Sequence, residues 1–392
     1  MKHYWKKSLI SCLLLITSIT IQAQSSLSRV NFAYQFDPKA EIFVTRKAHQ
    51  ISLDSVALTA SVFINEANTD IENYKFQLKT SSGYTKTLNP VSFDSLYIGK
   101  RGKSHFFTFS TLRWPSNQVL VLEIVSSFSS IKYHYDIQPV EIVPLTISDA
   151  GKVPLTQSWV RAGDFMTDTN AVGLFYDYDF EPALPPMVTK SPVPQKEMAV
   201  KTTITTLDTE PFGLSERGLY LFQKDSLATS AAPVLLVNPY FPKPAKLNQL
   251  IDPLIYITQK EEWDALDKDS VSKRDFDQFW LEITRSADRA RKVIKTYYDR
   301  IEEANQFFTT YKAGWKTDRG MIYAVFGVPD RVIRAADKET WYYNATATSQ
   351  SIDFEFIRVN SIFSNSHYVL IRDRRYSNSW YQAINNLRKV RY

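Results

Sequence analysis

The chain has 392 residues, a formal net charge of +6 and 44% apolar residues, an ordinary composition for a globular protein of about two to three domains. Glycine (11 residues) and proline (18 residues) are too scarce for a collagen-like or low-complexity protein. The 24 Phe and 22 Tyr residues favour β-strands and supply a large hydrophobic core. Composition therefore predicts a globular protein that is rich in strands.

The first 23 residues are typical of a secretory signal peptide. Three lysines (Lys2, Lys6 and Lys7) precede an apolar stretch, residues 9–21, and Ala23 suits the position before cleavage. A membrane-spanning helix needs about 20 apolar residues, and neither this stretch nor any later one reaches that length. We therefore expect an exported protein of the periplasm or outer membrane, with no transmembrane span after cleavage.

Cleavage would also remove Cys12, the only cysteine, and lower the net charge from +6 to +3. The mature chain would then have no disulfide, no thiolate nucleophile and no cysteine-ligated metal. Two alternatives remain open. The segment could be an uncleaved anchor, or Cys12 could be lipidated, because residues 9–12 resemble a lipobox. Lipidation is less favoured because most of the apolar stretch follows Cys12.

Two β-rich regions follow the signal segment. We predict an antiparallel β-sandwich over residues 24–142 and a second, smaller sandwich-like domain over residues 143–244. Runs of β-branched and aromatic residues mark the strands of the first region: Ser55–Ile64, Tyr74–Thr80, His105–Leu112 and Gln118–Val125. Similar runs mark the second: Val172–Phe180, Val200–Thr206, Gly218–Gln223 and Val234–Val237.

Residues 245–312 are predicted to be helical. Apolar residues recur there at alternating spacings of four and three, the pattern of one long amphipathic helix: Ile283, Ala287, Ala290, Ile294, Tyr297, Ile301, Ala304 and Phe308. Phe276, Phe279 and Trp280 extend this stripe by one turn. The stripe suits either a coiled-coil dimer or packing within its own domain. The alanines at three positions favour packing within the domain.

The last region, residues 313–392, is predicted to be a small α/β domain. Thr317 suits the N-cap of a helix, with Gly327 as its C-cap and Pro329 just beyond. Residues 322–325 also fit a strand. Three later runs predict an antiparallel meander: Glu339–Tyr343, Ile352–Arg358 and Tyr368–Ile371. The complete prediction is an α+β multidomain protein with two sandwiches, a long helix and this domain.

Residues 314–320, Gly-Trp-Lys-Thr-Asp-Arg-Gly, resemble the motif that names the bacterial GWxTD domain family. The similarity continues through Gly327, Pro329, Asp330 and Trp341, and it covers about residues 250–360. It implies an exported bacterial protein, and it implies no activity, because none is established for the family. The candidate motif residues are Gly314, Trp315, Thr317, Asp318, Arg319, Gly320, Gly327, Pro329, Asp330 and Trp341.

A structural role for this motif is favoured. Thr317 and Asp318 are suited to bind free amides of the first helical turn, and Gly320 to allow close backbone approach. Trp315 would anchor the long helix to the meander, and Arg319 would pair with Asp318 or Glu339. The alternative makes Asp318 a general acid or base in a cleft with Arg319 and Asp330, as in a hydrolase.

No catalytic residue, metal or cofactor is predicted. The histidines beyond the signal segment are not at metal-ligand spacing: His49, His105, His134 and His367. Asp177, Asp179 and Glu181 would share a strand face and suit calcium, but no glycine-turned loop accompanies them. A solvated acidic face is therefore the favoured interpretation.

These features predict a non-enzymatic envelope protein that acts as a protein–protein interaction or assembly module. Trp380 and Tyr381 would supply aromatic anchors for an envelope protein partner. A basic tail would either contact an anionic surface or remain solvated: Arg372, Arg374, Arg375, Arg388, Lys389 and Arg391. Nucleic acid is not an expected partner. The alternative functions are an envelope hydrolase and a carbohydrate-binding protein.

Overall fold

A computed structural model describes residues 26–66, 70–149, 151–189, 198–266, 271–364 and 366–389. The predicted signal peptide, Cys12 and Arg391 lie outside these residues. The described part is a mixed α+β structure with strands in five sheets and six α-helices. None of its helices has both the length and the apolar character to cross a membrane.

The first β unit consists of two sheets. One has the strand order β5-β6-β2-β1-β9 and the other β4-β3-β7-β8. Residues from both sheets, such as Leu58 and Leu122, belong to one hydrophobic core. The strands are β1 (Ile42–Gln50), β2 (Ser55–Ile64), β3 (Tyr74–Ser81), β4 (Asn89–Val91), β5 (Asp94–Arg101), β6 (Ser104–Leu112), β7 (Val119–Ser126), β8 (Lys132–Ile137) and β9 (Ile142–Val143).

The second β unit repeats this arrangement with a three-stranded sheet, β10-β12-β15, and a five-stranded sheet, β11-β17-β16-β13-β14. Residues of both, such as Phe165 and Phe222, again form one core. The strands are β10 (Ile147–Asp149), β11 (Trp159–Val160), β12 (Gly163–Thr167), β13 (Ala171–Tyr176), β14 (Thr202–Thr206), β15 (Phe212–Leu214), β16 (Gly218–Gln223) and β17 (Ala232–Leu236).

The predicted bounds are confirmed at β2 and β16, and the other predicted strands of these two units are present with different ends. The structure adds strands that were not predicted, such as β1, β5 and β8. Both units also differ from a purely antiparallel arrangement. A two-residue edge strand runs parallel to its neighbour in each: β9 beside β1, and β11 beside β17. These short strands lie in connecting segments, where sequence periodicity is too brief to reveal them.

The helical region is divided where one continuous helix was predicted. Helix α3 (Lys273–Thr284) ends at Arg285, which has a left-handed conformation with φ 55°, and helix α4 (Ala287–Phe308) begins after Ser286. The apolar stripe continues across this break, so the periodicity of the sequence could not reveal that the helix is interrupted. Before α3 lie α1 (Leu247–Ile251), a 3-10 helix (Asp252–Tyr256) and α2 (Lys260–Leu266).

The C-terminal unit packs a helix and a four-stranded sheet against α4. A 3-10 helix (Gly314–Lys316) leads into α5 (Asp318–Phe326), which confirms the predicted helix over the alternative strand. The sheet follows in sequential antiparallel order: β18 (Arg331–Arg334), β19 (Lys338–Tyr343), β20 (Ile352–Arg358) and β21 (Tyr368–Leu370). A 3-10 helix (Arg374–Tyr376) and α6 (Ser377–Arg388) complete it.

One core joins these helices to the sheet. Tyr297 and Ile301 of α4 are completely buried in it, so α4 packs within its own chain. The same core includes two 3-10 helices near the N-terminus, Leu27–Arg29 and Phe32–Phe36. The ring of Phe36 lies 5.2 Å from that of Trp341 and 5.1 Å from that of Phe308. The C-terminal core is therefore completed by residues from the other end of the chain.

Candidate functional site

The GWxTD motif forms a tight turn between α4 and α5. A Cβ on Gly314 would lie 1.9 Å from the carbonyl oxygen of Ala304, and a Cβ on Gly320 would lie 1.8 Å from that of Gly314. The backbone of α4 lies directly against the turn, and the turn lies directly against α5. Only glycine fits at either position, because a Cβ would overlap these carbonyl oxygens. The close approach predicted at Gly320 is confirmed, and the same constraint holds at Gly314.

Thr317 caps α5 as predicted. Its hydroxyl accepts a hydrogen bond from the Gly320 amide at 3.0 Å and donates one to the Gly314 carbonyl at 2.7 Å. The first turn of α5 is thereby tied to the preceding 3-10 helix. The helix ends at Gly327, which has φ 83° and is its C-cap, as predicted.

The carboxylate of Asp318 binds groups outside its own helix. It accepts a hydrogen bond from the Leu370 amide at 2.9 Å and forms an ion pair with the guanidinium of Arg372. Both side chains of this pair are largely buried. Asp318 therefore fastens α5 to the end of β21, whereas the sequence suggested that it would bind amides of α5.

Residues 181–187, which we call the strap, cross this part of the C-terminal unit as a proline-rich segment outside any helix or strand, and they end in a turn at Pro186 and Met187. The amide of Ala183 donates to the Lys316 carbonyl at 2.9 Å, and Arg372 donates to the Leu184 carbonyl at 3.1 Å. Met187 packs against the C-terminal core. The motif residue Lys316 and the partner of Asp318 thus hold a segment from the second β unit.

A cavity of about 830 Å³ lies beside the strap, and we call it the strap groove. Its lining is largely apolar, with Ile255, Phe363 and Leu370 among its residues. Its charged lining residues include Glu181, Lys312, Asp318 and Arg372. Burial lowers the pKa of Lys312 to about 8, and its ammonium donates to the carbonyl of Glu181 in the strap at 3.0 Å.

Arg319 points away from Asp318 and enters a buried charge network. The carboxylate of Glu339 is completely buried and accepts hydrogen bonds from Trp341 Nε1 and Arg334 Nε, both at 2.7 Å. Arg319 Nη1 lies 3.5 Å from the same carboxylate. Of the two acidic partners predicted for Arg319, the structure selects Glu339.

The network continues into the first β unit through Arg334. Its Nη1 donates to Asp136 of β8 at 2.6 Å, and Asp136 also accepts from Tyr84 Oη at 2.5 Å. Burial opposes ionisation of Asp136 and Glu339, yet the arginines outweigh it, and the pKa of each carboxyl lies below its ordinary value. The network therefore joins the C-terminal unit to the first β unit by buried charges.

The remaining candidates have structural contacts. Trp315 packs edge-on against Tyr256, with ring centroids 5.9 Å apart, and its backbone binds Asn305 of α4. Asp330 accepts a hydrogen bond from the Asn344 amide, and the buried Pro329 precedes it. The alternative hydrolase prediction placed Asp318, Arg319 and Asp330 in one cleft. Among the described residues, each of the three lines a different cavity, so they do not form that cleft.

Several predicted binding features have other roles. Trp380 is only 2% exposed and belongs to the core, so it is no surface anchor, whereas Tyr381 is exposed. Three residues of the basic tail form ion pairs within the chain: Arg372 with Asp318, Arg375 with Asp353 and Arg388 with Glu262. Burial of Trp380 follows from the amphipathic pattern of α6.

The acidic residues near position 180 do not form a shared strand face, because β13 ends at Tyr176. Asp177 pairs with Lys201 at 2.9 Å, and Asp179 pairs with Lys316 at 2.6 Å. Among the residues that the structure describes, no three His, Cys, Asp or Glu side chains are grouped closely enough to hold a metal ion.

The chain is an α+β protein in which two β-rich units precede a C-terminal unit, and the GWxTD turn connects α4 to α5 within that unit. Residues 218–389 match the family model of the GWxTD domain, so this part of the chain is a GWxTD domain. The match is longer than the similarity noted in the sequence and includes β16, β17 and α6. No curated protein matches the chain.

The glycine contacts predict that Gly320→Ala destabilises the protein by about 3 kcal/mol, although alanine should favour a helix by about 1 kcal/mol. The methyl group would overlap the Gly314 carbonyl. Gly213→Ala is the matched control, because its Cβ would meet nothing closer than 3.7 Å. Urea unfolding measures both variants. Equal stability of the two would contradict the steric constraint.

Asp318→Ala should lower the free energy of unfolding by about 3 kcal/mol, because it leaves the largely buried Arg372 without its carboxylate. Asp288→Ala is the control: Asp288 also lies in the first turn of a helix, but its side chain is 84% exposed. A double-mutant cycle with Arg372→Ala should give clear non-additivity. Additive effects would show that the pair does not fasten α5 to β21.

The buried carboxyl of Asp136 predicts a pH-dependent stability. Because its folded pKa is depressed, its stabilisation is present above the unfolded pKa of about 4 and is lost as pH falls below it. Asp136→Asn should cost about 3–5 kcal/mol at pH 7, and the gap from wild type should narrow by pH 3. Asp94→Asn, at an exposed position of β5, is the control. If the difference in unfolding free energy between the wild type and Asp136→Asn did not change with pH, this role of Asp136 would be refuted.

Proposed function

We propose that this protein is a non-enzymatic component of the bacterial cell envelope that binds an extended segment of a partner protein in the strap groove. The observation that carries this proposal is the strap itself. The carbonyl of Lys316 in the GWxTD turn and the side chain of Arg372 after β21 already hold an irregular, proline-rich segment of the chain. The groove continues from that contact with about 830 Å³ of further space.

Extended peptides are commonly bound through main-chain hydrogen bonds for affinity and side-chain pockets for specificity. Proline-rich segments lose little entropy on binding because they are already extended. The strap forms main-chain hydrogen bonds at Ala183 and Leu184 and contains three prolines, and aromatic residues such as Phe180 and Phe363 line the groove beside it. A partner segment with apolar side chains and proline would use the same chemistry.

Export and envelope location are part of this proposal. They rest on the lysines, apolar stretch and Ala23 of the first 23 residues, and on the resemblance to exported bacterial proteins. We interpret the two β-rich units, each with one core between two sheets, as sandwiches that present the C-terminal unit. The sequential sheet of that unit is interpreted as the predicted meander.

The alternative functions have less support. A hydrolase using Asp318 and Arg319 needs both in one cleft, but Asp318 binds Arg372 and lines the strap groove, whereas Arg319 turns toward Glu339. A carbohydrate-binding face needs adjacent exposed aromatic rings. The most exposed aromatics of the described residues make no ring contact with one another: Tyr97, Phe128, Tyr240, Tyr342 and Tyr381.

A photo-crosslinking amino acid at Ile255 tests this proposal in living cells. Ile255 lines the strap groove and is 38% exposed, so a replacement there should leave the fold intact. The control position is Leu227, which is 89% exposed in the second β unit and outside the groove. We expect a discrete adduct with an envelope protein from position 255 only, crosslinked through an apolar or proline-containing segment.

Ile255→Arg should abolish co-purification of that same protein, because the charge would be desolvated against the apolar lining, whereas Leu227→Arg should retain it. Thermal melts of both variants would confirm folding. Adducts of equal yield at both positions, or none at 255, would contradict binding in the strap groove. A fractionation experiment that leaves the protein in the cytoplasm would contradict the envelope location.

A further inference from the structure

A second cavity, which we call the junction cavity, lies where the three parts of the molecule meet. It has a volume of about 180 Å³. Arg46 of β1, Trp159 of β11 and Phe307 of α4 line it, and the C-terminal unit contributes Arg319, Arg334 and Arg358. The strap groove has different charged residues, so the two cavities are separate features of the fold.

Positive charge exceeds negative charge around the junction cavity. Four arginines line it, and the carboxylates that pair with them are Asp136, Glu141 and Glu339. Arginine remains charged at any physiological pH, so the excess positive charge is permanent. In a buried site such an excess is costly unless an anion or several acceptors balance it.

Arg319 is the least well paired of the four. Its side chain is 8% exposed, and its polar contacts are all long: 3.5 Å to Glu339, and 3.4 and 3.5 Å to the hydroxyl and carbonyl of Ser366. Charge-assisted hydrogen bonds normally measure about 2.7–2.9 Å. Glu339 is more tightly engaged by Arg334, at 2.7 Å, and leaves Arg319 without a close acceptor.

In the part of the chain that the structure describes, other hydrogen-bond donors that line the same cavity also lack partners. Arg46 Nε is buried, and within the described residues it has no hydrogen-bond partner. Arg358 Nη1 lies 2.8 Å from Glu141, but the two atoms do not have hydrogen-bond geometry. The hydroxyl of Thr310, another lining residue, likewise has no partner in the described part of the chain. These unused groups lie on β1, on β20 and in the segment that follows α4, around one cavity.

We propose that the junction cavity binds a compact oxyanion, a carboxylate or phosphate group, with Arg319 and Arg46 as its principal ligands. The deprotonated oxygens of a carboxylate or phosphate are hydrogen-bond acceptors, which matches a lining with excess guanidinium donors. Arginine forks bind carboxylate and phosphate oxygens in pairs. A cavity of about 180 Å³ has room for a small oxyanion.

Isothermal titration of the purified protein with inorganic phosphate, and separately with acetate, tests this site at matched ionic strength. We expect saturable binding of one or both anions, and the stronger of the two identifies the chemical source. Arg319→Gln should weaken that binding by about tenfold or more, the effect of losing a charge-assisted bidentate contact. Arg374→Gln, at an exposed arginine outside the cavity, should change it by less than about twofold.

Arg46→Lys provides a second variant, because it keeps the charge and removes the fork. It should also weaken binding by about tenfold, and it keeps the test decisive if Arg319→Gln fails to fold. Thermal melts with and without phosphate give an independent readout, since only a bound ligand raises Tm differently in the wild type and the variants. Absence of saturable binding, or equal binding by the folded variants and the wild type, would overturn the proposal.

Discussion

The contact between two glycines and two backbone carbonyls is the constraint on which this structure depends. Gly314 lies against Ala304 in α4, and Gly320 lies against Gly314, so the turn has no room for any side chain at either position. This contact sets where α5 begins and how it is oriented. Two consecutive residues at its start, Asp318 and Arg319, then point into different environments, one toward the strap groove and the other toward the junction cavity.

The same turn connects parts of the chain that are distant in sequence. Asp318 reaches β21 and Arg372, while Lys316 and Arg372 hold the strap from the second β unit. Arg319 approaches Glu339, whose other partner, Arg334, binds Asp136 of the first β unit. Each connection removes charge or backbone polarity from water, which is favourable only to the extent that hydrogen bonds or ion pairs compensate for it. A short motif thereby influences the arrangement of all three units.

This organisation explains why the GWxTD motif has the residue types that it has. The glycines permit contact between backbones, the threonine caps a helix, and the aspartate fastens that helix to a strand. The tryptophan packs against Tyr256 in the 3-10 helix that precedes α2. The arginine at position 319 differs from the others, because its contacts within the chain are long and its surroundings are positively charged.

Local chemistry in the sequence was sufficient for much of the structure. Runs of β-branched and aromatic residues identified β2 and β16, and the Thr317 and Gly327 caps identified α5, because these signals depend only on neighbouring residues. Periodicity did not reveal the break at Arg285, since the apolar stripe continues across it. Asp318 with Arg372, Glu339 with Arg334 and Asp136, and the strap were decided by tertiary structure alone. Their partners are separated by up to about 200 residues, and only the packed core brings them within hydrogen-bond distance.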